Sequence, residues 1–429
     1  MNIKSKLSKI KLFNSEFVRS TITLMTGTAI AQAIPIAISP ILTRIYTPED
    51  FGILAIFGSI LAILSVVSSL RYELAIVQPQ KNEDASSIVF LSSLIVFIIS
   101  IIILIVIYFY NDQIQIILGN KKIGNWLYLL PLSVLITGLY QSLNYWHIRN
   151  KLYKNIAYSN INKSLTSTTV QVTSGVFSLG SMGLIWGLVL GQFIKLISLF
   201  RSLLKREKKF FINFDFDRIK KNAKVYKRIP QFSSIGALTN QISNQLPILF
   251  ISRFYDLMTT GIFSLTIRVL SLPLSLVSKA LSEVLLQKVS QMHHISPDKI
   301  KKIILKLFLI LISTLCPFVF LIWYFGEDLF AFAFGEPWRE AGKMASILIF
   351  AVALRFAVSS LSTVLLLNHN IKLGVIWQVI YFITISVTFS YSYFKSFSIY
   401  AFIYAYVFHD IMLYLIYFLF VLKGSSYKK

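Results

Sequence analysis

The sequence predicts an all-α integral membrane protein with about twelve transmembrane helices in two pseudo-symmetric six-helix bundles. Composition is one reason, because 55% of the 429 residues are hydrophobic, only 14% are charged and the mean hydropathy is +0.69. The apolar residues also form uninterrupted blocks of about twenty, the length that crosses roughly 30 Å of hydrocarbon as a helix. In addition, part of the first block recurs in the seventh. A soluble domain of this length has no single core that could bury so many apolar blocks.

The continuous apolar blocks favour helices over strands, because a membrane strand would alternate apolar and polar residues. The fifth block is rich in Ser and Thr, so it needs protein neighbours over much of its surface. Gly187 and Gly191 in the sixth block form a pair that permits close approach of a neighbouring helix. The predicted spans are, in chain order, 20–43, 51–70, 85–109, 125–147, 162–180, 183–204, 232–253, 261–286, 303–325, 341–366, 372–393 and 398–422.

The distribution of Lys and Arg predicts the orientation of the spans. With the N-terminus in the cytoplasm, 32 of the 42 basic residues fall in cytoplasmic segments and 7 in outer segments. This asymmetry follows the positive-inside rule and predicts that both termini are cytoplasmic. The longest and most basic loop, 205–231, then joins an N-terminal bundle, 1–204, to a C-terminal bundle, 232–429. Six spans in each bundle give both the same orientation, which defines a parallel repeat.

An internal repeat supports this division into two bundles. Seven residues of the first copy have identical or similar residues 209 positions later in the second copy, without a gap. Each copy covers a long apolar segment, the following turn and the start of the next apolar segment. Transporters built from two such copies usually enclose a substrate path between them. The matched residues are Gly27, Gln32, Thr43, Arg44, Tyr46, Gly52 and Ile53 in the first copy, and Gly236, Gln241, Ser252, Arg253, Tyr255, Gly261 and Ile262 in the second.

The repeated segment also carries a family resemblance. Residues 27–54 run from Gly-Thr-Ala-Ile-Ala-Gln through Ser-Pro-Ile-Leu-Thr-Arg-Ile-Tyr-Thr-Pro-Glu-Asp-Phe-Gly. They resemble the start of bacterial polysaccharide transporter proteins, the O-antigen and capsule-unit flippases of the multidrug/oligosaccharidyl-lipid/polysaccharide exporter superfamily. The segments Leu70–Glu73 after the second span, Ile229–Phe232 before the seventh and Arg268–Pro273 in the eighth are similar to that family too.

The resemblance implies a flippase for an undecaprenyl-pyrophosphate-linked oligosaccharide, an O-antigen or capsule repeat unit. It would carry this glycan from the inner to the outer leaflet of the bacterial cytoplasmic (inner) membrane by alternating access of two six-helix bundles in a V. The expected partners are the lipid-linked glycan and membrane lipids, with a glycan polymerase and the chain-length machinery as further candidates. No nucleic acid is expected, because the net charge of +24 is assigned to the cytoplasmic ends of helices.

Three cations within spans are the first candidates for substrate binding. Arg355, Arg268 and Lys195 would stabilise a pyrophosphate, because a cation in hydrocarbon usually faces a cavity or a partner. The alternative is a structural role, in which an arginine pairs with an acidic neighbour or with helix-end carbonyls. Three amides of the repeated helices, which would bind sugar hydroxyls or bridge helices, complete the substrate candidates: Gln32, Gln241 and Asn240.

The repeated arginines, Arg44 and Arg253, lie at the predicted outer ends of the first and seventh spans. They would form an outer gate, or else interact with the negative end of the helix dipole. Arg71 and Glu73 lie at the cytoplasmic end of the second span. They would form an inner gate in which Glu73 titrates, or else an interfacial ion pair.

His409 and Asp410 place an ionisable pair inside the apolar twelfth span. A proton or sodium site is one interpretation, because His titrates near neutral pH. A structural pair with Lys195 or with a backbone group is the other.

Several classes of chemistry are not predicted. The single cysteine, Cys316, allows no internal disulfide and no cysteine-based metal site. The sequence contains no P-loop, so ATP hydrolysis is not expected. No catalytic residue and no cofactor are predicted either. Transport would instead be coupled to a proton or sodium gradient. A sodium- or proton-coupled multidrug exporter of the same superfamily is the alternative, but it would favour acidic rather than basic groups. A glycan polymerase or ligase would need a large outer loop.

Overall fold

A computed structural model describes residues 16–206, 215–292, 297–366 and 371–425 of the protein. Within these ranges every regular element is a helix. The long helices are α1 Glu16–Ile45, α2 Pro48–Val67, α3 Asn82–Leu118, α4 Leu130–Arg149, α5 Tyr153–Val176, α6 Ser181–Arg206, α7 Arg228–Phe254, α8 Leu257–Met292, α9 Pro297–Phe334, α10 Arg339–Leu361, α11 Ile371–Phe394 and α12 Ile399–Ser425.

Each predicted span coincides with one of these long helices. Among the described residues, nine helices are long and apolar enough to cross a membrane. The pair Lys121–Leu127 and Leu130–Arg149 would form a tenth span, bent by 51°. The remaining two helices, α5 and α7, are 24 and 27 residues long but fall outside this apolar set. They are long enough to cross the hydrocarbon, so their polarity alone separates them from the others.

The polar helix α5 has the protein neighbours that its composition demands, since it packs against α1 and α6. Its backbone lies so close to α6 that a Cβ atom at Gly187 would come within 2.9 Å of the Ser167 carbonyl oxygen, and one at Gly191 within 3.0 Å of the Lys163 carbonyl oxygen. The predicted role of the two glycines in close helix approach is therefore confirmed.

A hydrogen bond from α5 also supports the irregular part of α1. Pro35 lacks an N–H, so the Ala31 carbonyl loses the donor that an ordinary helix would supply. The hydroxyl of Ser164 on α5 donates to this carbonyl at 2.6 Å. The interior of α1 can therefore contain a proline without leaving a buried carbonyl unpaired.

The chain divides into two compact units. The first contains Met1–Ile45 and Phe57–Leu238, and the second contains Tyr46–Ile56 and Thr239–Lys429. The boundary falls within α7, beyond the predicted linker 205–231, of which residues 207–214 lie outside the described ranges.

A short linker helix, Phe216–Val225, explains why much of that loop belongs to the first unit. Arg218 pairs with Glu83 of α3 at 3.1 Å, and the phenol of Tyr72 donates to the Ala223 carbonyl at 3.0 Å. Burial raises the pKa of Tyr72, so this phenol stays protonated and remains a donor.

The two copies of the repeat fold in the same register. Helix α1 ends at Ile45 and α2 begins at Pro48, whereas α7 ends at Phe254 and α8 begins at Leu257. Both boundaries are therefore displaced by the same 209 residues as the sequence motif. The turn between the helices is part of the repeat, and its local sequence sets where each helix stops and starts.

The caps of α2 and α8 use the same two residue types in exchanged positions. Thr47 precedes α2 and its hydroxyl donates to Asp50 at 2.9 Å. Asp256 precedes α8 and accepts from the Thr259 hydroxyl at 2.8 Å and from the Thr259 N–H at 2.6 Å. Each pair satisfies backbone donors that the first turn of a helix leaves unpaired.

The repeated glycines bring the first turns of α2 and α8 into direct backbone contact, inside the second unit. A Cβ atom at Gly52 would overlap the carbonyl oxygen of Leu257, and a Cβ atom at Gly261 would overlap that of Pro48. Leu257 is the residue 209 positions after Pro48, so the two contacts are reciprocal. This reciprocity is the geometry expected where two related elements meet across a local two-fold axis.

Helix α10 is the central helix of the second unit, with α8, α9 and α12 packed around it. Within an apolar stretch of 18 residues in its spanning segment, 72% of the residues are buried. Thr266 of α8 donates to the Ala341 carbonyl at 3.0 Å, and Ser360 bonds Ser278 at 2.8 Å. These bonds hold α10 against α8 at two levels and place Arg355 between them.

Candidate functional site

The mid-span arginine Arg355 lies in a polar cluster within the second unit. Its Nη2 donates to the carboxylate of Asp410, to the Tyr406 hydroxyl at 3.0 Å and to the Tyr381 hydroxyl at 3.2 Å. The Tyr381 hydroxyl in turn donates to Asp410 Oδ1 at 2.8 Å. These four residues, from α10, α11 and α12, form what we call the Arg355 cluster.

The burial of Asp410 explains why the cluster needs so many hydrogen bonds. Its side chain is 2% exposed, against 29% for Arg355. An ion pair withdrawn from water is stable only when further hydrogen bonds satisfy the remaining lone pairs. The hydrogen bond from the Tyr381 hydroxyl to the carboxylate has this effect. The sequence left open whether Arg355 pairs with an acidic residue. In the structure this partner is Asp410.

His409 lies beside this pair rather than in it. Its Nε2 is 2.9 Å from the Thr384 hydroxyl, and its Nδ1 is 3.5 Å from Asp410 Oδ1. His409 is buried, and its Nδ1 has no hydrogen-bond partner among the described residues. The imidazole ring therefore lies next to the ion pair without being hydrogen-bonded to it.

One edge of the Arg355 guanidinium remains unused. All three of its hydrogen bonds leave from Nη2, whereas Nε is buried and has no partner among the described residues. The face of the guanidinium lies over the Tyr414 ring, with Cζ 5.4 Å from the ring centroid. A guanidinium has five N–H donors in a planar fork, so further acceptors can still bind.

Arg268 on α8 has a different environment, although it lies in the same unit. Its side chain is half-buried, and within the described part of the chain it makes no hydrogen bond or ion pair. A charged group at membrane depth is costly unless it has a partner or faces water. Arg268 is therefore a span cation whose charge the described residues do not neutralise.

Lys195 on α6 belongs to the first unit. Its Nζ lies 3.8 Å from the centroid of the Tyr140 ring, which is a cation–π contact. The lysine is half-buried, and no ion pair forms with it among the described side chains. The ring stabilises the ammonium without cancelling its charge.

The three predicted amides differ in burial. Gln32 of α1 is half-buried, and its Oε1 is inaccessible and has no hydrogen-bond partner in the described ranges. Gln241 of α7 is half-buried and Asn240 is exposed. An orphaned amide oxygen costs free energy, and Gln32 is the one of these three amides with such a buried oxygen among the described residues.

The repeated arginines both lie exposed at the C-terminal ends of their helices. Arg44 Nη1 donates to the Pro40 carbonyl at 2.9 Å, one turn earlier in α1. Arg253 lies over the Phe254 ring, with Cζ 5.5 Å from its centroid. The contact of Arg44 is the helix-end interaction that favours cations at this terminus.

Arg71 and Glu73 are paired, with Nη1 and Oε1 3.6 Å apart. The Glu73 side chain is only 1% exposed and also accepts a hydrogen bond from Ser69. Leu70 and Arg71 have left-handed backbone angles, with φ of 50° and 64°. Arg71 Nε donates to Ser233 of α7 at 3.5 Å. The pair is a buried tie within the first unit, in a turn that non-glycine residues adopt at a cost.

Sequence reasoning missed the two tyrosines of the Arg355 cluster. Tyr406 lies four residues before Asp410, so the helical period alone places both on one face of α12. Tyr381 comes from another helix, and no sequence signal relates it to Asp410.

The fold and these sites together define a multi-pass membrane protein with polar and charged groups held inside its bundles. Residues 41–343 match the sequence profile of a family described as "Polysaccharide biosynthesis protein", and the chain belongs to that family. The family and the helical fold therefore define a multi-pass membrane protein of a polysaccharide biosynthesis family.

One curated relative is the succinoglycan biosynthesis transport protein ExoT of Rhizobium meliloti (strain 1021). It is 24% identical over 313 residues, which are 72% of this chain and 60% of the relative. The match therefore spans about three fifths of the length of that relative.

Two solved structures share the fold. The lipid II flippase MurJ in an inward closed conformation gives a TM-score of 0.68 at 15% identity, covering 95% of this chain and 87% of MurJ. An inward-facing multidrug resistance MATE family transporter of the MOP superfamily gives 0.67 at 13% identity, covering 94% of each chain.

Proposed function

We propose that the protein is a flippase that moves an undecaprenyl-pyrophosphate-linked oligosaccharide, an O-antigen or capsule repeat unit, from the inner to the outer leaflet of the bacterial inner membrane. The family description, the printed role of the succinoglycan relative and the fold of a lipid II flippase support this class of substrate. The observation that carries the proposal is the half-buried Arg268, which has no partner among the described residues.

The chemistry of the substrate explains why such a cation is needed. A pyrophosphate carries negative charge through a region of low dielectric constant, where an uncompensated charge is strongly disfavoured. A guanidinium offers a planar fork of donors that matches phosphate oxygens. Arg268 has a charge available for this purpose, and Lys195 would add a second cation.

Arg355 has a conditional role in this proposal. Its charge is neutralised by Asp410, while its Nε lacks a partner. A substrate oxygen would therefore bind its free edge, and protonation of Asp410 would release the guanidinium further. His409 and Asp410 would in this way link substrate binding to a proton gradient, with sodium as the other candidate ion.

The remaining candidates keep the roles that their chemistry suggests. Gln32, Gln241 and Asn240 would bind sugar hydroxyls. Alternating access would move the bundles 1–204 and 232–429 about the basic linker 205–231, with both termini in the cytoplasm. The gates are Arg44 and Arg253 on the outer side, and Arg71 and Glu73 on the inner side. A glycan polymerase and the chain-length machinery would receive the product.

The exporter alternative is less well supported by the charges. An organic-cation exporter needs an acidic group that is free to meet its substrate, and Asp410 is already bound to Arg355 and Tyr381. Arg268 and Lys195, the span cations that form no ion pair with the described residues, have the opposite sign. They favour an anionic substrate.

Complementation of a deletion strain tests the proposal. We expect Arg268→Gln to lower surface polysaccharide at least tenfold, and to leave lipid-linked oligosaccharide accumulated in the inner leaflet. The control is Arg339→Gln, which removes an exposed arginine paired with Glu336 and Asp328, and surface polysaccharide should remain at the wild-type level. Both variants would be quantified in the membrane by a C-terminal tag. Wild-type surface glycan in Arg268→Gln at normal abundance would refute the proposal.

A further inference from the structure

A second polar site lies in the first unit, which contains neither Arg268 nor Arg355. A cavity of about 370 Å³ opens between α5 and α6, and we call it the α5–α6 cavity. No acidic residue is among the described side chains that line it. Its polar lining consists of Asn155 and Asn162 from α5, and Ser198, Arg201, Ser202 and Lys205 from α6.

Hydrogen bonds order the floor of this cavity. Asn155 donates to the hydroxyl of Ser202, and the Nε2 atom of the buried His147 lies 3.2 Å from the same hydroxyl. Asn162 donates to Ser198 at 3.3 Å. These bonds fix the amides and hydroxyls in place, so the cavity presents a preorganised polar surface.

Two cations stand at the rim of the cavity. Arg201 and Lys205 are four residues apart on α6, so they share one face of the helix and repel each other. Both are exposed, and neither forms an ion pair within the described part of the chain. A multiply charged anion between them would turn this repulsion into attraction.

The N-terminal end of α5 is a third feature that favours the binding of an anion in the cavity. The helix begins at Tyr153, and Leu152 before it makes no side-chain cap. Asn155 in the first turn of α5 lines the cavity, so the positive end of the helix dipole lies close to it. The N-terminal end of a helix carries partial positive charge and binds phosphate well.

The surroundings match a lipid rather than a soluble ion. The cavity lies at the predicted cytoplasmic ends of the fifth and sixth spans. Tyr158 of its lining is 64% exposed, which is typical of aromatic residues at the level of lipid headgroups. Phe200 and Leu204, which flank the cations on α6, are 41% and 42% exposed and offer an apolar surface to acyl chains.

We propose that the α5–α6 cavity binds the phosphate group of an anionic lipid in the cytoplasmic leaflet. Basic pockets between membrane helices on this side recognise such headgroups. The phosphate could belong to a glycerophospholipid or to a polyprenyl phosphate carrier, because both present the same charged oxygens. The site is independent of Arg268, so it can fail without affecting the proposed flippase activity.

Native mass spectrometry of the delipidated full-length protein tests the site. Phosphatidylglycerol, cardiolipin, undecaprenyl phosphate and zwitterionic phosphatidylcholine would be added separately, and bound lipid counted. We expect the Arg201→Gln, Lys205→Gln double variant to lose at least tenfold in occupancy by anionic lipid. Asn155→Ala, which changes no charge, should lose about threefold.

The matched control is the Lys220→Gln, Lys221→Gln double variant, which removes the same charge from exposed positions of the linker helix. It should stay within twofold of wild type. Equal losses in the two double variants, retention by the cavity variant, or equal binding of phosphatidylcholine would overturn the proposal. Preference for cardiolipin or phosphatidylglycerol would identify a glycerophospholipid site, and preference for undecaprenyl phosphate a carrier site. Gel-filtration profiles would verify that each variant is folded.

Discussion

The repeated helix–turn–helix is symmetric between the two copies, whereas the charged interior of the second unit has no counterpart in the first half of the sequence. In the repeat, Gly52 and Gly261 make reciprocal contacts, and equivalent helices begin 209 residues apart. In the charged interior, the positions 209 residues before Arg268 and Arg355 are Ser59 and Trp146. Symmetric contacts suit a framework that both halves of the sequence share. Asymmetric charges suit a substrate that has its own chemistry and no two-fold symmetry.

The charged interior itself contains two unlike arginines. Arg355 is neutralised by Asp410 and held by two tyrosines, whereas Arg268 has no such partner among the described residues. We therefore expect Arg355 to contribute to the stability of the protein, which unfolding measurements can detect. We expect the charge of Arg268 to affect transport and not stability.

The largest expected effect comes from breaking the buried pair. Asp410→Asn leaves Arg355 as an uncompensated cation and should destabilise the protein by about 3–5 kcal/mol. Thermal unfolding in detergent measures the loss. The control is Glu336→Gln, which removes an exposed partner of Arg339 and should leave the melting temperature unchanged.

Removing both charges sharpens this result. The Arg355→Gln, Asp410→Asn double variant should recover more than half of the loss, because no buried charge remains unpaired. An Asp410→Asn protein as stable as wild type would show that the pair is not a structural element.

Substitution in the repeat should have the next largest effect. Gly261→Ala and Gly52→Ala each introduce a methyl group into a backbone contact and should cost about 1–3 kcal/mol. Gly58→Ala is the matched control, because nothing lies within 4 Å of the added atom and alanine favours the interior of a helix. It should be neutral or stabilising. A large loss in only one of the two repeated glycines would contradict the reciprocal contact.

The smallest effect on stability is expected at Arg268. Arg268→Gln breaks no bond within the described residues, so its melting temperature should stay close to that of wild type, with a change below about 0.5 kcal/mol. The same variant should be the most defective in glycan export. A marked loss of stability would indicate a structural partner and would place Arg268 in the same class as Arg355.

Sequence reasoning succeeded where the signal is local. Uninterrupted apolar blocks predicted helices, and the glycines of α6 predicted close packing that the structure contains. It was less accurate where helices extend beyond hydrocarbon. The predicted span 85–109 lies inside α3, which continues to Leu118 past a non-helical residue at Tyr110. Hydropathy reports the apolar part of a helix, and not the polar turns that continue it.

The residues of the candidate site could be predicted from the sequence, but their contacts could not. Arg355 and Asp410 were both recognised as unusual, because a charge in an apolar span is visible in the sequence. Their pairing was not, and neither was the contribution of Tyr381, since 55 residues separate the charges and 26 separate Arg355 from that tyrosine. The buried state of Glu73 was also unforeseen, because a left-handed turn at Leu70 and Arg71 places it inward.

The amino-acid order alone established a helical membrane protein, its repeat and the list of charges within its spans. Helix formation, hydrophobic length and turn chemistry depend on neighbours within a few residues, so they can be read along the chain. Which of those charges is neutralised depends on how α10, α11 and α12 pack, because ion pairing requires atoms within about 4 Å whatever their separation in sequence. The packing assigned Asp410 to Arg355 and gave Arg268 no ion-pair partner among the described residues.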